Sequence, residues 1–526
     1  MVEIKKLISY MLKYKSQYLW GFFLLLIVNL LAAYIPDQIR KIIDHGIIER
    51  KAVTDWVFLV SFLVLIMAII RILSRQEIFG IGRQVEFDLK QKLFEHLVKL
   101  EPGFYLNRRS GELISIITND IQSIRALAGF GMLNVANTLI SFATILPLMF
   151  IAHVKLTWCF LSLIPVVIFF VVALSSNIKK FQDLVQIRLA EMSSFLEQNF
   201  SGIYIIKAFA QELFEFSRFD TYNQNLKADY LKLVTLRSFI GPVMRVIASL
   251  GFVLLLYFGG LGIENRTFSA GDFAAYSLYI QRLLWPIATL GWIITIIYRA
   301  QVSTRRIEEI LSTKAQIIDR ANAISKRTFD HEIFLGGNIN KKIPKATVFA
   351  ITGKVASGKT TLVSKMVRLL EPSDGEILLD NTDVKNIKLE DLRRLIVLIP
   401  QDSFMFPLSV EDNIRYASNI SDEQVRHLAS LVLMDKEIDV MPEGYASIVG
   451  EGGITLSGGQ RQRLAIARAL ALEPEILILD DSFANLDSNT ASQILDEILL
   501  IRKNKTTILI SQQTMISEKA DFNLEL

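Results

Sequence analysis

Long apolar runs crowd the first three hundred residues and then stop. Six of them, Tyr18 to Tyr34, Trp56 to Ile70, Ala126 to Ala152, Leu156 to Asn177, Phe239 to Ile263 and Phe273 to Tyr298, approach or exceed the ~20 residues that carry a helix across ~30 Å of hydrocarbon. They predict six transmembrane helices. The first two are short enough for buried core helices, but no soluble core needs six such runs in succession. The first is not read as a cleaved leader, because Tyr34-Ile35-Pro36 lacks the small residues of a cleavage site. Within the connection from 178 to 238, Phe181, Leu184, Val185, Leu189, Met192, Leu196 and Phe200 recur at helical spacing with charges between them. The two long inner connections therefore predict helices that continue beyond the membrane. Each is broken once, at Pro102-Gly103 with Arg108 to Gly111, and around Gly202 to Gln211. The result is two helical hairpins that reach toward the second half of the chain.

From about Ser312 the pattern changes to strands alternating with helices, an α/β arrangement. Strand candidates are Ala346 to Ile351, Glu376 to Leu379, Leu395 to Ile399, Ile476 to Leu479 and Thr506 to Ile510, with ligands expected at their carboxyl ends.

Composition agrees with the pattern: 51% apolar residues and a mean hydropathy of +0.38 exceed what soluble domains carry. A net charge of +4 over 526 residues is too small to suggest a nucleic-acid partner. Cys159, the single cysteine, excludes a disulfide framework and reads as an inert buried thiol. Charge distribution orients the helices. Residues 1–17 hold four Lys and Arg, 74–125 eight and 178–238 eight, against four in 37–55 and one each in 153–155 and 264–272. The cationic side is normally cytoplasmic, which places both termini in the cytoplasm of a cell whose inner membrane the chain spans. Arg245 and Arg282 are the charges well inside the runs. Such residues face a polar cavity or a partner, or reach for headgroups; Tyr276, Tyr279, Trp285 and Trp292 share the last run with Arg282.

The chemistry sits in the second half. Gly353-Lys354-Val355-Ala356-Ser357-Gly358-Lys359-Thr360-Thr361 follows an apolar strand and precedes a helical stretch. Its glycines let backbone N–H groups fold around a phosphate, Lys359 reaches the β/γ oxygens, and the Thr360 hydroxyl suits Mg²⁺. Ser457-Gly458-Gly459-Gln460 heads another helix and forms a second anion-binding turn. The apolar strand Ile476 to Leu479 delivers Asp480 and Asp481 to its end, where a carboxylate holding hydrated Mg²⁺ is needed; such a pair also caps helices. Gln401 follows another strand and offers its carboxamide to Mg²⁺ or to an attacking water.

Together these residues resemble the ABC transporter ATPases: a Walker A loop GKVASGKT, the glutamine-loop residue Gln401, the signature LSGGQ, a Walker B strand ILILDD, and a D-loop at Ala484-Asn485-Leu486-Asp487. Six membrane segments ahead of the ATPase, and Gly450-Glu451-Gly452 before the signature, resemble an ABC exporter half-transporter of the bacterial multidrug and lipid type. The resemblance implies a helical membrane domain over 1–311, a linker and the start of the ATPase over 312–345, and an α/β P-loop nucleotide-binding domain over 346–526. It also implies ATP and Mg²⁺ as cofactors, a second half-transporter as partner, and coupling helices at the two breaks.

Three departures shape the expectation. Asp481 stands where the family has the glutamate that polarises the attacking water, and its carboxylate is one methylene shorter. Gln512 replaces the switch histidine and carries no positive charge. The domain is shortened at both ends, so the adenine-stacking aromatic falls to Phe329 or Phe334, although core packing is the commoner fate of a Phe. The chain therefore reads as the catalytically degenerate half of a heterodimeric exporter of an amphipathic drug or lipid, embedded among membrane lipids. The alternatives are a regulatory or channel-like subunit, and a slow homodimer.

Overall fold

The computed structural model describes residues 2–48, 53–106, 108–264, 268–337, 339–354, 356–416, 418–453, 455–511 and 518–526. It divides into two compact units, Met1–His96 with Gly111–Ser312, and Leu97–Ser110 with Thr313–Leu526. Gln512 and Val355 lie outside the described residues.

The first unit is entirely helical. Its elements are α1 (Val2–Leu12), α2 (Lys15–Lys41), α3 (Thr54–Leu97), α5 (Ser110–Ala152), α6 (Val154–Ser201), α7 (Ile203–Ala208), α8 (Glu212–Glu264) and α9 (Ala270–Ser312), while the short α4 (Pro102–Leu106), between α3 and α5 in the chain, belongs to the second unit. Continuous helices follow from the solvent: in hydrocarbon each backbone N–H and C=O must find its partner inside the helix. Among the described residues, three helices are long and apolar enough to cross a membrane, Lys15–Gly46, Thr54–Leu97 and Ser110–Ala152. The other three apolar runs lie on α6, α8 and α9, helices of 48, 53 and 43 residues, where several side chains fall outside those described. Pro165 and Pro242 sit inside the apolar parts of α6 and α8, and Pro286 inside that of α9.

Both predicted breaks are present. Pro102 opens α4, where its missing N–H costs nothing, and the Tyr105 hydroxyl donates to Leu97 O at 2.6 Å. Gly202 ends α6, and Ala210, at φ 48°, turns the chain into α8. Apolar side chains crowd this second tip, with Tyr204 88% and Leu213 86% exposed. Cys159 is half-buried rather than buried.

Helices α3 and α5 meet through backbone. A Cβ at Gly82 would stand 3.0 Å from Arg125 O and 3.1 Å from Gly129 N. Such close approach of two backbones brings many atoms into dispersion contact at once.

In the second unit a five-stranded sheet, ordered β6-β7-β8-β3-β9, is formed by β3 (Val348–Thr352), β6 (Ile396–Ile399), β7 (Ile476–Asp480), β8 (Thr506–Ile510) and β9 (Phe522–Glu525). All its pairings are parallel. Its inner strands are mostly apolar, as a sheet covered on both faces requires, and β7 and β8 are buried at each position, the threonines that open β8 and the aspartate that closes β7 included. A second, antiparallel sheet, β2-β1-β4-β5, contains β1 (Glu332–Leu335), β2 (Lys341–Pro344), β4 (Ile377–Leu379) and β5 (Thr382–Asp383). The strand expected at Glu376 to Leu379 thus belongs to this sheet and contributes nothing to the parallel edge. Phe329, 1% exposed, packs in the core with Ile333, Phe349 and Val384, so it is not an adenine-stacking aromatic. Phe334 is half-buried on β1.

The glycine contact makes a direct forecast. Gly82→Val should lower stability by about 1–3 kcal/mol, read as a fall in the thermal unfolding midpoint of the detergent-solubilised chain. Gly80→Ala, which meets nothing within 4 Å, should leave the midpoint nearly unchanged; equal effects at both positions would exclude the close contact.

Candidate nucleotide site

Strand β3 ends at Thr352, and the chain turns through Gly353 at φ 145°, Ala356 at φ 65° and Gly358 at φ 98° into α10 (Lys359–Met366). The turn at Gly353 leaves no space for a side chain: a Cβ there would lie 2.4 Å from Leu526 O and 3.0 Å from Ser357 Oγ. Lys359 folds back over the loop, its ammonium donating to Gly353 O at 2.8 Å and Lys354 O at 2.7 Å, with Ser357 Oγ at 3.4 Å. Thr360 and Thr361, in the first turn, are exposed. A positive ammonium and the positive end of a helix therefore converge on one loop.

Two further strand ends reach the same edge. Asp480 closes β7 at 2% exposure; burial and the adjacent Asp481 push its carboxyl above the ordinary range, opposed by a hydrogen bond from Thr360 and by Lys359. Asp481 adopts φ 47°, and its N–H donates to Ile510 O on β8 at 2.9 Å. Its carboxyl is raised by burial against the pull of Lys359, and it accepts from Gln401 Nε2 at 3.5 Å. The fold thus brings Gly353, Ser357, Lys359, Thr360, Gln401, Asp480 and Asp481 together. The carboxylate and hydroxyl at the helix start form a hard oxygen donor set of the kind Mg²⁺ prefers, and the loop matches a phosphate.

Ser457, Gly458, Gly459 and Gln460 lie elsewhere. Ser457 caps α15 (Gly458–Leu470), which follows four short helices α11 (Leu389–Leu395), α12 (Val410–Arg415), α13 (Asp422–Leu431) and α14 (Asp435–Asp439). Its hydroxyl accepts from Gln460 N at 3.1 Å, and its N–H donates to Gln460 Oε1 at 2.8 Å. This capping box answers two orphan donors. Gln460 also donates to Glu437 at 2.8 Å. A Cβ at Gly459 would stand 2.9 Å from Leu486 Cδ2 and 3.0 Å from Asn485 O, so only glycine admits that segment. Gln462 accepts from Asn485 N at 3.0 Å. The pocket here is bordered by Glu437, Arg463, Asn485, Asp487 and Thr490 with the Ser-Gly-Gly turn, and by none of the described residues of the phosphate loop.

Sequence reasoning missed the wall that β9 gives the loop, and also Arg468. Its guanidinium donates to Asn413 O at 2.8 Å, Asn413 Oδ1 at 2.7 Å and Phe404 O at 2.9 Å. It thereby ties the segment after Gln401 to the helix headed by Ser457. The only signal was a cation in the otherwise apolar Leu464 to Leu470 stretch.

A phosphate-cradling loop with paired carboxylates, on a chain whose other unit consists of apolar helices, defines a membrane-embedded nucleoside triphosphatase. Residues 18–287 match the model of the ABC transporter transmembrane region and residues 337–484 that of the ABC transporter. The chain belongs to the ABC transporters, in which ATP hydrolysis is coupled to transport. Over 539 residues it is 28% identical to the "Probable multidrug resistance ABC transporter ATP-binding/permease protein" of Bacillus subtilis, covering 99% of this chain and 92% of that protein. It is 28% identical over 534 residues to an ATP-dependent lipid A-core flippase of Idiomarina loihiensis, covering 98% and 92%. The fold matches a bacterial Atm1-family ABC exporter with ATP bound, at a TM-score of 0.76 and 20% identity over 98% of this chain and 94% of that one.

Burial of Asp480 has a measurable sign. A carboxyl raised in the native state binds protons more tightly there than in the unfolded chain, so its contribution opposes folding at neutral pH and relaxes as pH falls through the raised value. Asp480→Asn should raise the nucleotide-free unfolding midpoint at pH 7 while abolishing the further rise produced by ATP with Mg²⁺. An unchanged nucleotide-free midpoint would remove the burial penalty, and a retained rise with ATP and Mg²⁺ would remove the metal role.

Proposed function

We propose that this chain is one half of a heterodimeric exporter that drives an amphipathic or lipophilic molecule out across the cytoplasmic membrane, both termini lying in the cytoplasm. The observation that carries the dimer is the separation within one chain of the phosphate loop from the Ser457 turn, whose pocket no described loop residue borders. A turn that can receive an anion, in a pocket that no described residue of the chain's own cradle borders, suits the cradle of a second chain. The exposed apolar tip around Tyr204 and Leu213 likewise suits a partner's surface. Export of an amphipath agrees with the multidrug and lipid names of the relatives.

In this reading the N–H groups of Gly353 to Thr361 hold the phosphates, and Lys359 leaves its loop carbonyls for the β/γ oxygens. Thr360, Asp480 and Gln401 would hold the metal. When bound, Mg²⁺ neutralises charge building on the transferred phosphoryl group. Asp481 would take the proton of the attacking water, reaching one methylene less far than a glutamate; Gln512, following β8 in sequence, would offer the γ-phosphate an amide without adding charge. A shift of the order of 1 Å in a water-positioning group costs ~10²-fold in rate. Binding is thus retained at this cradle and hydrolysis slowed, while Ser457, Gly458, Gly459 and Gln460 serve the partner's competent site.

Two experiments follow. The purified chain alone should bind ATP yet turn over below ~1 s⁻¹, under the ordinary enzymatic range; steady-state turnover within that range would refute the degenerate site. In the co-expressed pair, Ser457→Ala should reduce ATPase activity more than Asp481→Asn. The opposite ranking would assign catalysis to this chain's own cradle.

A further inference from the structure

Within the helical unit, α2, α3, α5 and α9 line a partly open cavity of about 180 Å³ bordered by Arg71 and Arg282, with the exposed Arg75 also on its wall. Arg71 and Arg75 are one helical turn apart on α3 and so share a face; Arg282 joins them from α9. Asparagine and serine complete the polar wall. Ser141 Oγ donates to Asn29 Oδ1 at 2.7 Å, and Asn29 Nδ2 donates to Asn137 Oδ1 at 3.1 Å. With Oδ1 of Asn137 engaged, the donor end of its amide is what it has left to offer an occupant. Pro286, also on the wall, has no N–H for the carbonyl of Arg282, so the helix is loosened beside that guanidinium. Leu25, Val28, Leu133 and Ile145 make the remaining surface apolar.

Among the described residues no aspartate or glutamate lines this space, and the Arg71 guanidinium donates to the thioether of Met67 at 3.5 Å. Arg71, at the end of the second apolar run, and Arg282, inside the sixth, are half-buried permanent cations with no carboxylate among the described lining residues, and exposed Arg75 adds a third positive charge at the rim; they repel one another and the two half-buried ones pay desolvation, a cost sustained only where a counter-charge arrives. Arg245, by contrast, is exposed on α8 and takes no part in the cavity. Arg71 went unnoticed in the sequence because it is the charge that ends the second apolar run.

We propose that this cavity binds the oxyanion, phosphate or carboxylate, of an amphipathic substrate whose apolar part lies along the leucine, valine and isoleucine wall. As cargo, that substrate rests on the export reading; as a ligand, it does not. Guanidinium pairs with either oxyanion in two-point fashion, and 180 Å³ holds such a group with several waters at about 30 Å³ each.

The test is a ligand titration of the full detergent-solubilised chain, without ATP, followed by native mass spectrometry with phosphatidylglycerol and phosphatidylcholine of identical acyl chains. Phosphatidylglycerol should bind about tenfold or more tightly, and R71Q/R282Q should bring the two lipids within about twofold. Arg282→Lys keeps the charge and should keep most of the preference. Equal binding by the native chain, or a preference that survives R71Q/R282Q, would overturn the site. So would a variant that loses thermal stability but retains lipid preference, since the arginines would then be structural. Displacement of phosphatidylglycerol by millimolar inorganic phosphate would overturn the amphipath in favour of free phosphate. Absence of ATP-driven lipid movement in proteoliposomes of the co-expressed pair, with selective binding intact, would count against export and leave the site standing.

Discussion

Parallel strand pairing is the constraint from which the nucleotide site follows. When β6, β7, β8 and β3 run the same way, their carboxyl ends share one edge, and whatever the chain places just after each strand becomes a neighbour. Thr352 hands over to the phosphate loop, Ile399 to Gln401 two residues on, Asp480 to Asp481, and Ile510 to Ser511. Residues 80 apart in sequence, Gln401 and Asp481, touch for this reason alone. The sheet also supplies low dielectric around Asp480, which turns a modest donor set into one with a strong appetite for a cation.

The same edge explains the conformation of Asp481. Its N–H is tethered to Ile510 O on β8, and the chain must then leave the sheet at once, which forces φ to 47°. A non-glycine residue pays for that region. The strain fixes where the carboxylate points, and a side chain shorter by one methylene has no compensating freedom to extend.

Much of this was legible in the sequence, and the limits are physical. The six apolar runs, the two breaks and the motif residues are local signals: periodicity, proline, glycine and the order of residues around a strand end. What stayed hidden depends on who packs against whom. β2 is Lys341-Lys342-Ile343-Pro344, too polar to announce a strand, and exists because it pairs with β1. β9 has a single residue with strong strand preference, Phe522, and is recruited by β3. Phe329 offered an aromatic in the right part of the chain, and its burial in the core could be decided only by the sheet that covers it. Arg71 and Arg282 are 211 positions apart and become a pair only when α3 and α9 enclose the same space. The separation of the Ser457 turn from the loop is equally a property of folding, since the two motifs read alike as anion-binding turns.

The long helices carry a mechanical implication. Prolines occur in the apolar parts of α6 and α8, at Pro165 and Pro242, whereas 178–201 and 212–238 contain neither proline nor glycine. Each extension is therefore a stiff strut, joined to a base that already contains its bending point. A strut of the length of 178–201, about 36 Å at 1.5 Å per residue, converts a tilt of about 10° at its base into about 6 Å at its tip. Read in the other direction, a push of that size at Tyr204 becomes a small rotation inside the apolar layer, with leverage of the kind a crowbar gives a short arm.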